Sequence, residues 1–197
     1  MDRYWLLTNT CYGTWLPGDR RGFVGRVWEH RPDDPAHEPR VAHELPGTPY
    51  DEDVPGLARA SHDLMKGQPV QLTVAHADVF LAQVRETAGV RGWQLLAVAV
   101  MFNHFHIVVG VPGDPDPSKV LGDFKSWCTR ALSQHFGAPA SKTWWTASGS
   151  KRRLRDERAL AAAIRYVLYD QPNPLVTWSP VTSLHHGPPP AAGVEAS

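Results

Sequence analysis

Cysteine is scarce in this chain: two in 197 residues, Cys11 and Cys128, with no Cys-x-x-Cys pair. That excludes a disulfide-stapled scaffold and a zinc ribbon, and it predicts two reduced thiols. No apolar run approaches the ~18 residues that a membrane-crossing helix needs. The opening Met1-Asp2-Arg3-Tyr4-Trp5 has no cleavable signal pattern, so a cytoplasmic protein is expected. No Gly-x-x-x-x-Gly-Lys-Ser/Thr loop is present, which removes a helicase or other P-loop engine. Net charge is also missing, with 20 Lys+Arg against 20 Asp+Glu. What is present is enough apolar material, 42% of the residues, to bury one core of ordinary size.

The zero net charge conceals an uneven distribution. Residues 28–66 carry nine acids against four bases, while residues 117–158 carry nine bases against three acids. The basic stretch includes Lys125, Arg130, Arg152, Arg153 and Arg155, interleaved with Trp127, Trp144 and Trp145. Cations neutralise phosphates and aromatic planes stack on unpaired bases, so this stretch has the composition of a polyanion-binding face. A solvated face above core tryptophans has the same composition.

The coarse structure follows from periodicity. Residues 4–9 read as a buried strand, followed by a Gly/Pro-punctuated loop from Tyr12 to Gly22 that includes Arg20 and Arg21. Residues 28–66 form an irregular insertion, acidic and Pro-rich, with a short helix expected near 57–66. Ala77, Phe80, Leu81, Val84 and Ala88 recur at helical spacing and predict a helix closed by Gly89. Residues 93–101 and 104–111 are Val/Ile-rich runs of strand length around a Phe102-Asn103 turn. Asp116-Pro117 opens a second long helix that Gly137 ends. Residues 143–147 and 151–155 suggest a basic hairpin across Ser148-Gly149-Ser150. Asp156 caps a last helix running to about Asp170, before Pro172, and the tail 181–197 is expected to be disordered. The order strand, helix, strand, strand, helix, strand predicts an α+β ferredoxin-like sandwich, an antiparallel sheet with helices on its faces, in one domain over residues 1–180.

The sharpest local feature is His104-Phe105-His106. In a strand, residues two apart share a face, so the two imidazoles stand side by side while Phe105 and Ile107 face the other way. Neutral imidazoles so placed suit one divalent ion. On the last helix, Leu160, Ala163, Ile164, Val167 and Leu168 make the apolar stripe. Tyr166 falls about 130° from its centre and is not consumed by the core. Asp170 shares the face of Tyr166 one turn on, and Gln171 is pushed out of helical geometry by Pro172. Either could add an oxygen ligand. Two imidazoles, an oxygen ligand and a tyrosine together suggest phenolate attack on a phosphodiester with Mg²⁺ or Mn²⁺ as cofactor. Tyr169 lies further from the stripe and is the less suitable nucleophile.

The segment Met101-Phe102-Asn103-His104-Phe105-His106-Ile107-Val108-Val109 resembles the Met-Pro-Asn-His-x-His-Leu-Leu-Val motif of single-tyrosine HUH transposases. It is most similar to the REP-associated tyrosine transposases within that superfamily. The run Thr10 to Asp19, the segment Phe124 to Arg130 and Tyr166-Val167-Leu168 share the likeness, which spans about residues 4–175. The resemblance implies a ferredoxin-like core that binds single-stranded DNA bearing a hairpin and cleaves beside it. It implies His104 and His106 as metal ligands, Tyr166 as the nucleophile that forms a 5′-phosphotyrosine, and an oxygen ligand further along the helix. Position 170 is Asp where a polar ligand before Pro is common, so the third ligand is Gln171 or Asp170. The basic residues Lys125, Arg130, Arg152, Arg153 and Arg155 would contact phosphates, Trp144 or Trp145 would stack on a base, and Arg20 and Arg21 would read the hairpin foot. A monomer near the nucleoid, with no membrane contact, is the expected state. The alternative reading is a hairpin-binding protein that has lost cleavage. A nickase on the same core and a His-dependent RNA-type hydrolase are further alternatives.

Overall fold

The computed structural model describes residues 3–19, 26–28, 40–42 and 55–180. Arg20, Arg21, most of the acidic insertion and the 181–197 tail lie outside the described residues. The elements in chain order are β1 (Arg3–Thr10), β2 (Arg26–Trp28), β3 (Arg40–Ala42), α1 (Pro55–Asp63), α2 (Val74–Arg91), β4 (Gln94–Val100), β5 (His104–Val111), α3 (Pro117–Phe136), β6 (Ser150–Leu154), α4 (Glu157–Tyr169) and β7 (Val176–Trp178). Strands β2 and β3 pair with each other. The other five form one antiparallel sheet in the order β6-β1-β5-β4-β7. Without β7, this is the ferredoxin-like order, and β5 lies at its centre.

Side-chain alternation along β5 divides the molecule into layers. Phe105, Ile107 and Val109 join Leu7, Phe80, Val84, Phe124 and Leu132 in the larger core, beneath α2 and α3. Val108 points the other way and packs with Leu6, Ala97, Ala99, Met101, Leu154, Ala163 and Val167 beneath α4. Three alanines on that side let α4 approach the sheet closely. Burying Val167, which is fully enclosed, contributes about 1.5–3 kcal/mol toward holding it there. Among the described residues no helix is long and apolar enough to cross a membrane.

Three sequence-based expectations differ from the structure. Helix α2 does not stop at Gly89 but runs on to Arg91, where Gly92 takes the left-handed conformation at φ 65° and donates its N–H to the Ala88 and Gly89 carbonyls. Gly89 lies on the exposed face, where a missing side chain does not end a helix packed on its other side. The basic hairpin is also not formed. Only Ser150–Leu154 is a strand, and it pairs with β1. The preceding segment instead touches the end of β1 through a Cys11–Trp145 bridge. Gly149 permits this approach, because a Cβ there would sit 2.6 Å from Asn9 Oδ1 and 2.7 Å from the Thr8 carbonyl oxygen. Finally, residues beyond Pro172 add β7 to the free edge of β4, a pairing too short to have a periodic signature. Asp116, Gly137 and Asp156 cap their helices as expected.

Candidate active site and nucleic-acid interface

His104 and His106 stand on the α4 side of the central strand, with ring centroids 5.0 Å apart at 85°. Thr8 is the register partner of His106 on β1, and its Oγ1 lies 2.6 Å from His106 Nδ1. His104 Nδ1 lies 2.6 Å from Asn103 Oδ1. A carboxamide oxygen only accepts, so His104 Nδ1 carries the proton and donates, leaving the Nε2 lone pair of the neutral ring free. His106 is 5% exposed, and its buried Nε2 has no hydrogen-bond partner. A buried imidazole nitrogen without a partner is costly unless something binds there.

Burial, with the neighbouring His104 second, pulls the His106 pKa down to about 4. Burial lowers that of His104 as well. Both rings are therefore neutral at pH 7, the form that ligates metals. The Gln171 carboxamide lies close enough to His106 to oppose part of its shift, although Nε2 has no partner in hydrogen-bonding geometry. Gln171 Nε2 donates to the Tyr166 carbonyl at 3.2 Å, which ties the side chain back to α4. Asp170 leans the other way, 4.0 Å from Arg165 Nε. Among the described residues no three His, Cys, Asp or Glu side chains come together. Gln171, and no carboxylate, is the α4-end side chain that interacts with His106.

Tyr166 completes the constellation. Its ring centroid is 5.3 Å from that of His106 at 67°, and the side chain is 40% exposed. The apolar stripe of α4 seats on Ala97, Ala99 and Val108, which leaves Tyr166 at the rim of the helix where β5 begins. Tyr169 is 77% exposed. Thr8 was not anticipated: strand alternation puts it on a face, but only the β1–β5 register puts it opposite His106.

The basic residues separate into distinct roles. Trp144 and Trp145 are each 4% exposed and belong to the larger core. Their indole N–H groups donate to Ser133 Oγ at 2.9 Å and Thr129 Oγ1 at 3.0 Å. The expected stacking role is corrected here, since neither ring presents a face to solvent. Lys125 is an internal clamp, its Nζ donating to the carbonyls of Thr146 at 2.6 Å and Ala147 at 3.2 Å. Burial, and then Lys151 beside it, pulls its ammonium pKa down to about 8. Arg152, Arg153 and Arg155 are exposed along the β6 edge. Arg130 lies over the Trp127 ring at 4.8 Å, and Trp127 is 42% exposed.

Residues 68–152 match the family model described as IS200-like transposases. No curated protein matches the chain. Among solved structures, the chain is similar to a REP-associated tyrosine transposase bound to a REP hairpin, with 13% identity and a TM-score of 0.45. The match covers 84% of this chain and 64% of that one. The matched span 68–152 holds both imidazoles, their Asn103 neighbour and α3, while Tyr166 and Gln171 lie beyond it.

Proposed function

We propose that the protein is a metal-dependent single-strand DNA endonuclease and strand transferase of transposase type, which binds a strand bearing a hairpin and cleaves beside it through Tyr166. The observation that carries this reading is the placement of the Tyr166 ring against His106 on one face of the sheet. His104, His106 and Gln171 would hold Mg²⁺ or Mn²⁺. The buried, unpartnered Nε2 of His106 and the free lone pair of His104 fit that group, as does an amide oxygen, a hard donor. When bound, the ion polarises the scissile phosphate and offsets its charge.

The chain's own residues do the rest. Thr8 and Asn103 fix the two imidazoles through Nδ1, and Gln171 is held by its bond to the Tyr166 carbonyl. The Tyr166 oxygen attacks phosphorus, and the bond to the 3′ oxygen breaks. That oxygen leaves as a 3′-hydroxyl, while the 5′-phosphate stays as an ester on the phenol. One ester replaces another, so a later 3′-hydroxyl can reverse the step and join strands. All of these groups come from one chain, which supports a monomer as the working unit. Arg152, Arg153 and Arg155 on the exposed β6 edge would take backbone phosphates.

The test is to incubate a hairpin-bearing single strand with Mg²⁺ and identify any protein–oligonucleotide adduct by mass spectrometry. We expect an adduct on Tyr166, its loss in Tyr166→Phe, and hairpin affinity unchanged in that variant. No adduct from the parent protein, with binding intact, would favour the non-cleaving alternative. Cleavage that survives in Tyr166→Phe would favour direct hydrolysis by the histidine pair.

A further inference from the structure

On the opposite face of the sheet from the imidazoles, α3 borders an open groove of about 410 Å³ lined by Lys125, Ser126, Thr129, Arg130, Thr143 and Thr146, with buried Trp145 as its floor. We infer that this groove and the Trp127–Arg130 stack on its rim form a second nucleic-acid site, which takes one unpaired nucleotide of the bound strand away from the point of cleavage. The inference rests on the DNA reading above and extends it to a site that the cleavage chemistry does not use.

The chemistry of the lining matches a nucleotide. Thr129 Oγ1 accepts from the Trp145 indole, so its own proton remains available to a phosphate or sugar oxygen. Lys125 spends two of its three N–H donors on the Thr146 and Ala147 carbonyls, and the third is left for an anion. Lys151 stands near it from β6, and among the described residues neither lysine has an ion-pair partner. Lys151 also interacts with the Asp116 carboxylate, but the two lysines disfavour each other's charge, and a bound phosphate would relieve that repulsion. At the rim, Arg130 lies over one face of Trp127, an arrangement that presents a flat, sequence-tolerant surface to a base. Trp127 is the large aromatic side chain that α3 leaves outside the core in its middle, and packing does not require it there.

Strand register explains how one DNA chain could reach both faces. Arg152 pairs with Leu6 and Leu154 with Tyr4, which puts them on the α4 side. Lys151 pairs with Leu7 and Arg153 with Trp5, which puts them on the α3 side. The β6 edge therefore alternates cations between the cleavage face and the groove face, and a strand crossing it meets positive charge throughout.

The experiment uses the full chain carrying Tyr166→Phe, in chelator, so that binding is read independently of cleavage. A fluorescently labelled hairpin-bearing single strand is titrated by anisotropy, and the same strand with iododeoxyuridine at successive positions is photocrosslinked and mapped by mass spectrometry. We expect Trp127→Ala to weaken binding roughly 10–100-fold, Trp127→Phe to restore most of it, and one strand position to crosslink to Trp127. Circular dichroism and the melting temperature should not change, because the side chain is exposed. Wild-type affinity in Trp127→Ala, with crosslinks mapping elsewhere, would overturn the second site and leave the cleavage reading standing. No binding by the parent chain would overturn both.

Discussion

The buried imidazole on the central strand makes the metal-free protein acid-sensitive. A His in the unfolded chain titrates near 6.5, whereas burial and His104 put His106 at about 4. The unfolded state therefore takes up the proton first, and stability is lost as pH falls through the window between those two values. Above pH 6.5 both states are neutral at this residue and it adds no pH dependence. The span of about 2.5 units corresponds to about 3 kcal/mol, of which about 2 kcal/mol is gone by pH 5. That is a large share of the stability of an ordinary domain. Urea unfolding in chelator at pH 7, 6, 5 and 4 measures it, and His106→Gln provides the reference. The variant has no proton to take up at this position, so its stability should fall less steeply by about that amount. Parallel curves for the two proteins would show that His106 is not held neutral by its surroundings. Saturating Mn²⁺ should deepen the acid loss in the parent, because ligand and proton compete for the same ring nitrogen.

Other consequences concern the neighbouring groups. Gln171→Ala should weaken Mn²⁺ binding at least ~10-fold by titration calorimetry, while Asp170→Asn should leave it close to that of the parent; the reverse order would assign the third ligand to Asp170. Replacing Arg152 and Arg153 by Gln should reduce the dependence of log affinity on log salt by about 2, and an unchanged slope would remove the β6 edge from the DNA path. Phe105→Ala empties a fully buried site between Phe80 and Trp145 and should cost about 3–5 kcal/mol in urea unfolding. Gly149→Ala should lower the melting temperature, because its Cβ would collide with Asn9, Thr8 and Leu121; a neutral result would mean that the 146–149 segment is not fixed against β1.

The elements that could be read in advance share one property. Their signal is local and repeated. The stripe of α3, the caps Asp116 and Asp156 and the Val/Ile runs of β4 and β5 each follow from spacing along a single segment. So does the side-by-side placement of His104 and His106, since a strand's period of two needs no knowledge of its partners. The errors lie where a short segment is decided by what it packs against. Gly89 looked like a helix end, but α2 is held by its buried face through Ala88 and stops only where Gly92 turns the backbone left-handed. Trp144 and Trp145 lay in a basic run and suggested stacking surfaces, yet their rings fill the space between α3 and the sheet, where burial of large aromatics outweighs the polarity of their neighbours.

The residue sequence alone thus determined the α+β order, the strand with its two imidazoles on one face and the off-stripe position of Tyr166, while the pairing of distant strands made that strand central. It could not decide between Gln171 and Asp170, because both follow the last full turn of α4 and the backbone leaving that turn sets their directions. Only the tertiary structure brings Thr8 to His106, Gln171 to the imidazoles and Asp170 to Arg165, and sets Trp127 and Tyr166 on opposite sides of the sheet. Each of these depends on pairing between segments far apart in the chain, and side-chain pattern within one segment holds no information on which distant strand will lie beside it.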